Sequence, residues 1–361
     1  MPLSRLPLGL FCDQDSLPRR VCKREIRQNE RLRRKSCQGL TLQLGRQSVV
    51  FGSRVATSAA IALSVAILAA PAGAAETVPP GVLILHSNQR PTPAQVVIED
   101  ALRESVPKGF GSQVQLYSEN LDNEWASLRK YGASEAEFLR NKYSERNIKV
   151  IATVSAPASV FATEFHDRVF PGIPVVLIAV PEIRVDPASI PSYAVGVFED
   201  LDPTPTLQLA LRLHPDARRL VAIRGAYETE SSWDKLVRDA VERLGGGLEV
   251  KYLSGLPTAD VLQRVAALSR GTIVFTGGYF VDGAGNVFTS TVQSIKLIAQ
   301  ASAVPVYGAY DSQLGTGIVG GYMHRFEDEG RAGGAMIVRL LKGATPAEVG
   351  WSVAARVPIV D

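Results

Sequence analysis

Beyond residue 75 the chain has no cysteine, because Cys12, Cys22 and Cys37 all lie in its first fifth. That absence excludes a disulfide scaffold and a thiolate zinc site from the rest of the chain. Histidine is scarce as well: the four residues His86, His166, His214 and His324 stand singly, with no HExxH pair. A GxSxG elbow and a GxxxxGK[ST] loop are also missing, so metalloprotease, α/β-hydrolase and P-loop chemistry lack their usual signatures. The glycine-rich run Gly315 to Tyr322 is no substitute. It leads into a strand, whereas a dinucleotide fingerprint follows a strand and opens a helix. The acidic clusters Glu199, Asp200, Asp202 and Glu327, Asp328, Glu329 lack the spacing of a calcium loop. No cofactor or metal is therefore expected.

Positive charge is missing where a nucleic-acid binder would need it. Residues 1–75 hold twelve Lys/Arg and four Asp/Glu, a net +8, which leaves 27 basic and 32 acidic residues, a net −5, for the remainder. A phosphate-binding surface would call for the opposite balance on the folded part. With 46% apolar and 21% charged residues, that remainder can bury a core of one or two domains.

Charge is absent altogether from Val55 to Ala75, a run preceded by Arg46 and Arg54 and ending in Ala72-Gly73-Ala74. A basic flank, an apolar stretch and small residues at its end form the pattern of a signal peptide, with cleavage expected near Ala74. A retained anchor is the competing reading. Residues 1–54, with RLRRK at Arg31 to Lys35, are expected to be a basic leader, either disordered or placed before the true start. A periplasmic location follows from the export reading.

The body alternates short Val/Ile/Leu-rich runs with amphipathic stretches. Strands are expected at Val82 to His86, Val114 to Tyr117, Lys149 to Val154, Val175 to Val180 and Ala194 to Phe198. A second series is expected at Leu220 to Arg224, Leu248 to Leu253, Thr272 to Thr276, Val304 to Tyr307 and Gly317 to Tyr322. Near-continuous apolar strands separated by helices predict α/β architecture with parallel sheets covered on both faces. The series breaks at Asp200 to Pro205, where two prolines intervene, which predicts two lobes. The expected division is 80–200 plus 308–345 for lobe 1 and 201–307 for lobe 2, with the strand and helix of Gly317 to Leu341 both returning to lobe 1.

In parallel sheets, ligands lie beyond the carboxyl ends of strands, near helix N-termini. The residues at those ends are therefore the candidates. They are Ser87, Asn88 and Arg90 after the first strand, Ser155 and Ala156 after the third, and Glu182 after the fourth. In the second series they are Tyr227, Tyr279, and Tyr310 with Asp311. The tyrosines combine a ring for stacking with a hydroxyl for hydrogen bonding.

VLILHSNQR at Val82 to Arg90, the segment from Gly196 to Gly225, and the segment from Pro305 to Gly343 resemble the ABC-type uncharacterised transport system substrate-binding family. The version they most resemble forms the extracytoplasmic sensor region of bacterial hybrid histidine kinases, and the resemblance covers roughly residues 80–350. It implies a type I periplasmic-binding fold, with two Rossmann-like lobes joined by crossover segments and a small-molecule ligand in the cleft. It also implies a binding protein rather than an enzyme, working as a monomer with an ABC permease or, alternatively, in ligand sensing with a membrane sensor kinase. Carried over by position, Ser87, Arg90, Ser155, Tyr227, Tyr279 and Asp311 would line the cleft. Arg90 would meet a ligand carboxylate and Asp311 an amine, as in an amino acid or organic acid. Such kinases continue into a membrane helix and kinase domains, whereas this sequence stops at Asp361, so a free-standing binding component or a truncated relative of the sensor type is expected.

Overall fold

The computed structural model describes residues 78–123, 128–182 and 190–361, apart from the side chains of Arg129, Glu228 and Thr229. The leader and signal-peptide expectations lie outside the described residues. No helix among the described residues is long and apolar enough to cross a membrane.

Two six-stranded sheets organise the compact unit that runs to Asp361. The first contains β1 (Gly81–His86), β2 (Gln115–Asn120), β3 (Ile148–Val154), β4 (Val175–Pro181), β5 (Ala194–Glu199) and β11 (Trp351–Val353), in the order β11-β5-β4-β3-β1-β2. All of its pairings are parallel. The second contains β6 (Arg219–Arg224), β7 (Glu249–Ser254), β8 (Thr272–Gly278), β9 (Val306–Tyr307), β10 (Gly320–His324) and β12 (Arg356–Val360), in the order β12-β10-β9-β8-β6-β7. Only β12 runs antiparallel to its neighbour.

The period-2 pleat explains why β1 is apolar at every turn. Val82 and Ile84 face one cluster, with Ile98 and Leu102 of α1 (Pro93–Phe110) and Ile337 of α9 (Phe326–Leu341). Leu83 and Leu85 face the other, with Leu139 of α2 (Leu128–Tyr143) and Phe161 of α3 (Ala156–Glu164). The short α4 (His166–Val169) closes that side. The second sheet repeats the plan. Leu220 and Ala222 meet α5 (Thr204–Leu213) and α6 (Ser232–Arg243), while Val221 and Ile223 meet α7 (Thr258–Ala266) and α8 (Thr291–Ala301). Helix α9 packs closely on α1 at Gly330 and on β4 of the first sheet at Gly333, because neither residue presents a side chain. A Cβ on Gly330 would lie 2.7 Å from Ala101 Cβ.

The expected return of strand and helix together is corrected by the topology. Strand β10 stays in the second sheet, and only α9 crosses back to the first. The chain then forms α10 (Pro346–Val349) and β11, and crosses again to β12. Both last strands escaped the sequence pattern. Residues of β11 are exposed throughout and β12 is never fully buried, so neither carries the apolar run of an inner strand. The lobes are joined by three crossings, β5 to α5, β10 to α9 and β11 to β12.

Candidate functional site

A cavity of about 190 Å³ lies where the carboxyl ends of both sheets face each other. Its walls include residues at the ends of β3, β4, β5 and β8, the position where parallel sheets bind ligands. Each sheet contributes one irregular strand. Ala179 of β4 sits at a register shift against β5 with φ 57°, and Gly277 of β8 sits at the corresponding shift against β6. Both bulges line the cavity, re-aiming the backbone at the point where pairing ends. Left-handed backbone strains an alanine but not a glycine. Ala179→Gly is therefore expected to stabilise the protein by about 1 kcal/mol, read as a higher urea midpoint. An unchanged or lower midpoint would show the bulge to be unstrained.

On the first lobe, β3 runs into Ser155, which has φ 80° and ψ 162° and opens α3 without a side-chain cap. Its Oγ lies 2.6 Å from Ser87 Oγ, which also accepts a hydrogen bond from Gln95 Nε2 at 3.2 Å. Thr92 and Gln95 form a capping box at the start of α1. The first turns of α1 and α3 both line the cavity. Pro93 and Pro157 carry no N–H and that of Gln95 is taken by Thr92, so it is the positive ends of the helix dipoles, with the Ala94 and Ala156 amides, that favour negative charge there.

On the second lobe, Trp233 of α6 lies directly on Gly277, where a Cβ would collide with Cε2 of the indole ring. The same ring packs edge-on to Phe275, with centroids 5.6 Å apart. Phe280 and the α8 start at Ser290 to Val292 complete this wall. Beside them Glu230 is 2% exposed. Its carboxylate accepts from the backbone N–H groups of Gly225, Tyr227 and Phe280 at 3.4, 3.3 and 3.3 Å. Burial pushes its pKa up to about 7 against the pull of those N–H groups.

The floor is made by the crossings. Glu199 and Leu201 come from the first, and Phe326 from the second. Tyr310 stacks on Phe326 at 5.4 Å and donates its hydroxyl proton to Glu199 Oε2 at 3.4 Å. Among the described residues lining the cavity there are two carboxylates, Glu199 and Glu230, and no Lys, Arg or His. No group of three or more His, Cys, Asp or Glu side chains among the described residues is placed to hold a metal ion.

No family model matches the sequence, and no curated protein matches it. Solved structures do. An ABC domain from Streptococcus pneumonia in complex with L-Trp is 16% identical, with a TM-score of 0.58 over 78% of this chain and 92% of that one. A ligand-free, open substrate-binding protein with adhesive properties from Clostridium difficile is 15% identical, with a TM-score of 0.59 over 78% and 92%. A solute-binding protein of an ABC transporter from Bacillus halodurans, with bound myo-inositol, is 11% identical, with a TM-score of 0.52 over 79% and 96%. The chain has the type I periplasmic-binding fold. Regulators of the LacI type share it, so the fold leaves the use of the cleft to its residues.

Of the residues expected at the strand ends, Asn88, Ser155, Ala156 and Tyr310 line the cavity, and Ser87 supports Ser155 from beneath. The others lie elsewhere. Arg90 is exposed on the loop before Thr92, and Glu182 lies one residue past the lining Pro181. Tyr227 contributes its backbone N–H to Glu230. Tyr279 is fully buried in the core and donates to Leu256 O at 3.0 Å. Asp311 accepts from the backbone N–H of Phe326 at the start of α9. The ion-pair roles expected of Arg90 and Asp311 therefore find no support in their positions. Sequence reasoning missed Glu199, Glu230, Trp233, Phe280 and Phe326, although the Gly277-Gly278 pair at a strand end was a readable sign of close approach.

Proposed function

We propose that the protein is an exported solute-binding component that captures an amine-bearing organic molecule, with amino acids carrying an aromatic side chain as the best-fitting class. The observation that carries this reading is the cavity's lining: aromatic rings and carboxylates on the second lobe and the floor, the first turns of α1 and α3 on the first lobe, and no basic side chain among the described residues. A carboxylate would be held by the first turns of α1 and α3, an ammonium group by Glu230, and a ring by Trp233, Phe280 and Phe326. Closure of the lobes about the crossings would follow from tighter binding in the closed form. Delivery to an ABC permease outside the cytoplasm completes the reading, and the solute-binding neighbours support it.

Thermal unfolding with a panel of amino acids, aromatic acids, amines and polyols tests it. A ligand at a thousand times its dissociation constant adds about 4 kcal/mol of stability. The aromatic amino acids are expected to give the largest rise in Tm. A rise with polyols alone would reject the reading. Because Glu230 titrates near 7, affinity for the amine-bearing ligand is expected to rise roughly tenfold between pH 6 and 8 as the carboxylate ionises. Glu230→Gln should flatten that profile, and a wild-type profile already flat would remove Glu230 from ammonium recognition.

A further inference from the structure

The three crossings meet in a polar cluster beneath the cavity. His324, at the end of β10, places Nε2 2.9 Å from the backbone oxygen of Asp200 in the first crossing. Arg356, in the third, holds the Asp200 carboxylate at 2.6 Å and donates to the backbone oxygen of Asp202. On the other edge of the imidazole, Nδ1 lies 3.2 Å from Glu329 Oε1, both side chains being 1% exposed. That pair lacks hydrogen-bond geometry, and neither Glu329 oxygen has a hydrogen-bond partner among the described residues.

A carbonyl oxygen only accepts, so Nε2 carries a hydrogen. If the ring is neutral, Nδ1 is then a lone pair, and an ionised Glu329 would set its negative charge beside it in a buried site. A protonated Glu329 removes that buried charge. Its surroundings favour that form. Burial, with Asp311 from the second lobe and Asp328 on α9 adding like charge, pushes Glu329 up to about 8. The cations nearby are already engaged, Arg325 with Asp328 at 3.1 Å and Arg356 with Asp200. The ring of Tyr310, 5.7 Å from that of His324, adds no cation and bonds Glu199 instead.

We propose that Glu329 holds a buried proton beside the Nδ1 edge of His324 and that this proton latches the three crossings, so that its loss at alkaline pH loosens the hinge. An ionised Glu329 would draw water or turn His324, and either movement breaks the bond to Asp200 and shifts Phe326 and Tyr310 at the cavity floor. The proposal concerns the hinge and stands whatever solute the cavity takes.

Hydrogen exchange of the full chain tests it, read at the His324 amide, which donates to Ala309 O at 2.9 Å. Protection, corrected for the intrinsic rate, is expected to fall by roughly tenfold per pH unit above about 8 in the wild type, and to stay level in Glu329→Gln, whose side chain stays neutral at every pH. Parallel profiles in the two proteins would overturn the latch. Should the variant fail to fold, nitrogen chemical shifts of His324 in the wild type decide the matter. A neutral ring protonated on Nε2 at pH 7 supports the latch, and a neutral ring protonated on Nδ1 overturns it.

Discussion

Gly277→Ala is expected to destabilise the protein by about 1–3 kcal/mol and to reduce ligand affinity by at least tenfold. The added methyl has no room, because the Trp233 ring occupies its place. The nearest atoms belong to the stiff centre of an indole that is 7% exposed and fixed against Phe275, so no flexible end can swing aside. Either the ring moves into the cavity or β8 pulls away from α6, and both outcomes reshape the ligand-facing wall. Adjacent Gly278 serves as the control. A Cβ there would stand 3.3 Å from Phe280 Cε2 and farther from everything else, a contact that a small ring shift relieves. Chemical denaturation and ligand titration of the two variants should therefore differ sharply. Equal, mild effects would show that Trp233 is free to move and does not shape the cavity.

The second large effect concerns pH. Glu230 and Glu329 are carboxylates whose folded pKa values, about 7 and about 8, lie above the ordinary 4.5. The unfolded chain therefore releases these protons first as pH rises, while the folded chain still holds them. Stability from these groups is fully present below about 4.5 and is lost as pH climbs through 7 and 8, by ceilings of about 3 kcal/mol for Glu230 and about 5 kcal/mol for Glu329. Glu99 works in the opposite direction. Its bond to His86, with further bonds from Ser118 and Arg103, outweighs burial and holds it near 2, so its contribution is present above 4.5 and lost as pH falls toward 2. An optimum near pH 5 is expected in urea unfolding, with a decline toward pH 9. A plateau from pH 5 to 9 would mean that neither buried carboxylate carries a proton at neutrality.

The inner strands were legible because their side chains are buried on both faces, so β1 and β3 to β6 read as largely apolar runs; the edge strands β2 and β7 were marked only by short β-rich segments between helical patterns. Strands β11 and β12 were not, because edge strands need no such run. The destination of β10 was equally hidden, since an apolar strand flanked by glycines fits either sheet. At the site, the strand-end rule located Ser155, Ala156, Asn88 and Tyr310. It overreached at Arg90, because the loop turns outward before the Thr92 cap. Trp233 and Glu230 stayed hidden for a different reason. They lie in or just before a helix whose pattern is that of any amphipathic helix on a sheet, and only the closeness of Gly277 reveals that the ring reaches the cleft.

The central claim, that the interlobe cavity recognises an amine together with an aromatic group, is tested most directly by calorimetric titration with three matched compounds: phenylalanine, 3-phenylpropionate and phenethylamine. The cavity's chemistry predicts that phenylalanine binds and that removing its amine weakens binding by at least a hundredfold, about 2.7 kcal/mol, with a smaller loss on removing its carboxylate. Binding of 3-phenylpropionate as tight as that of phenylalanine would contradict the account.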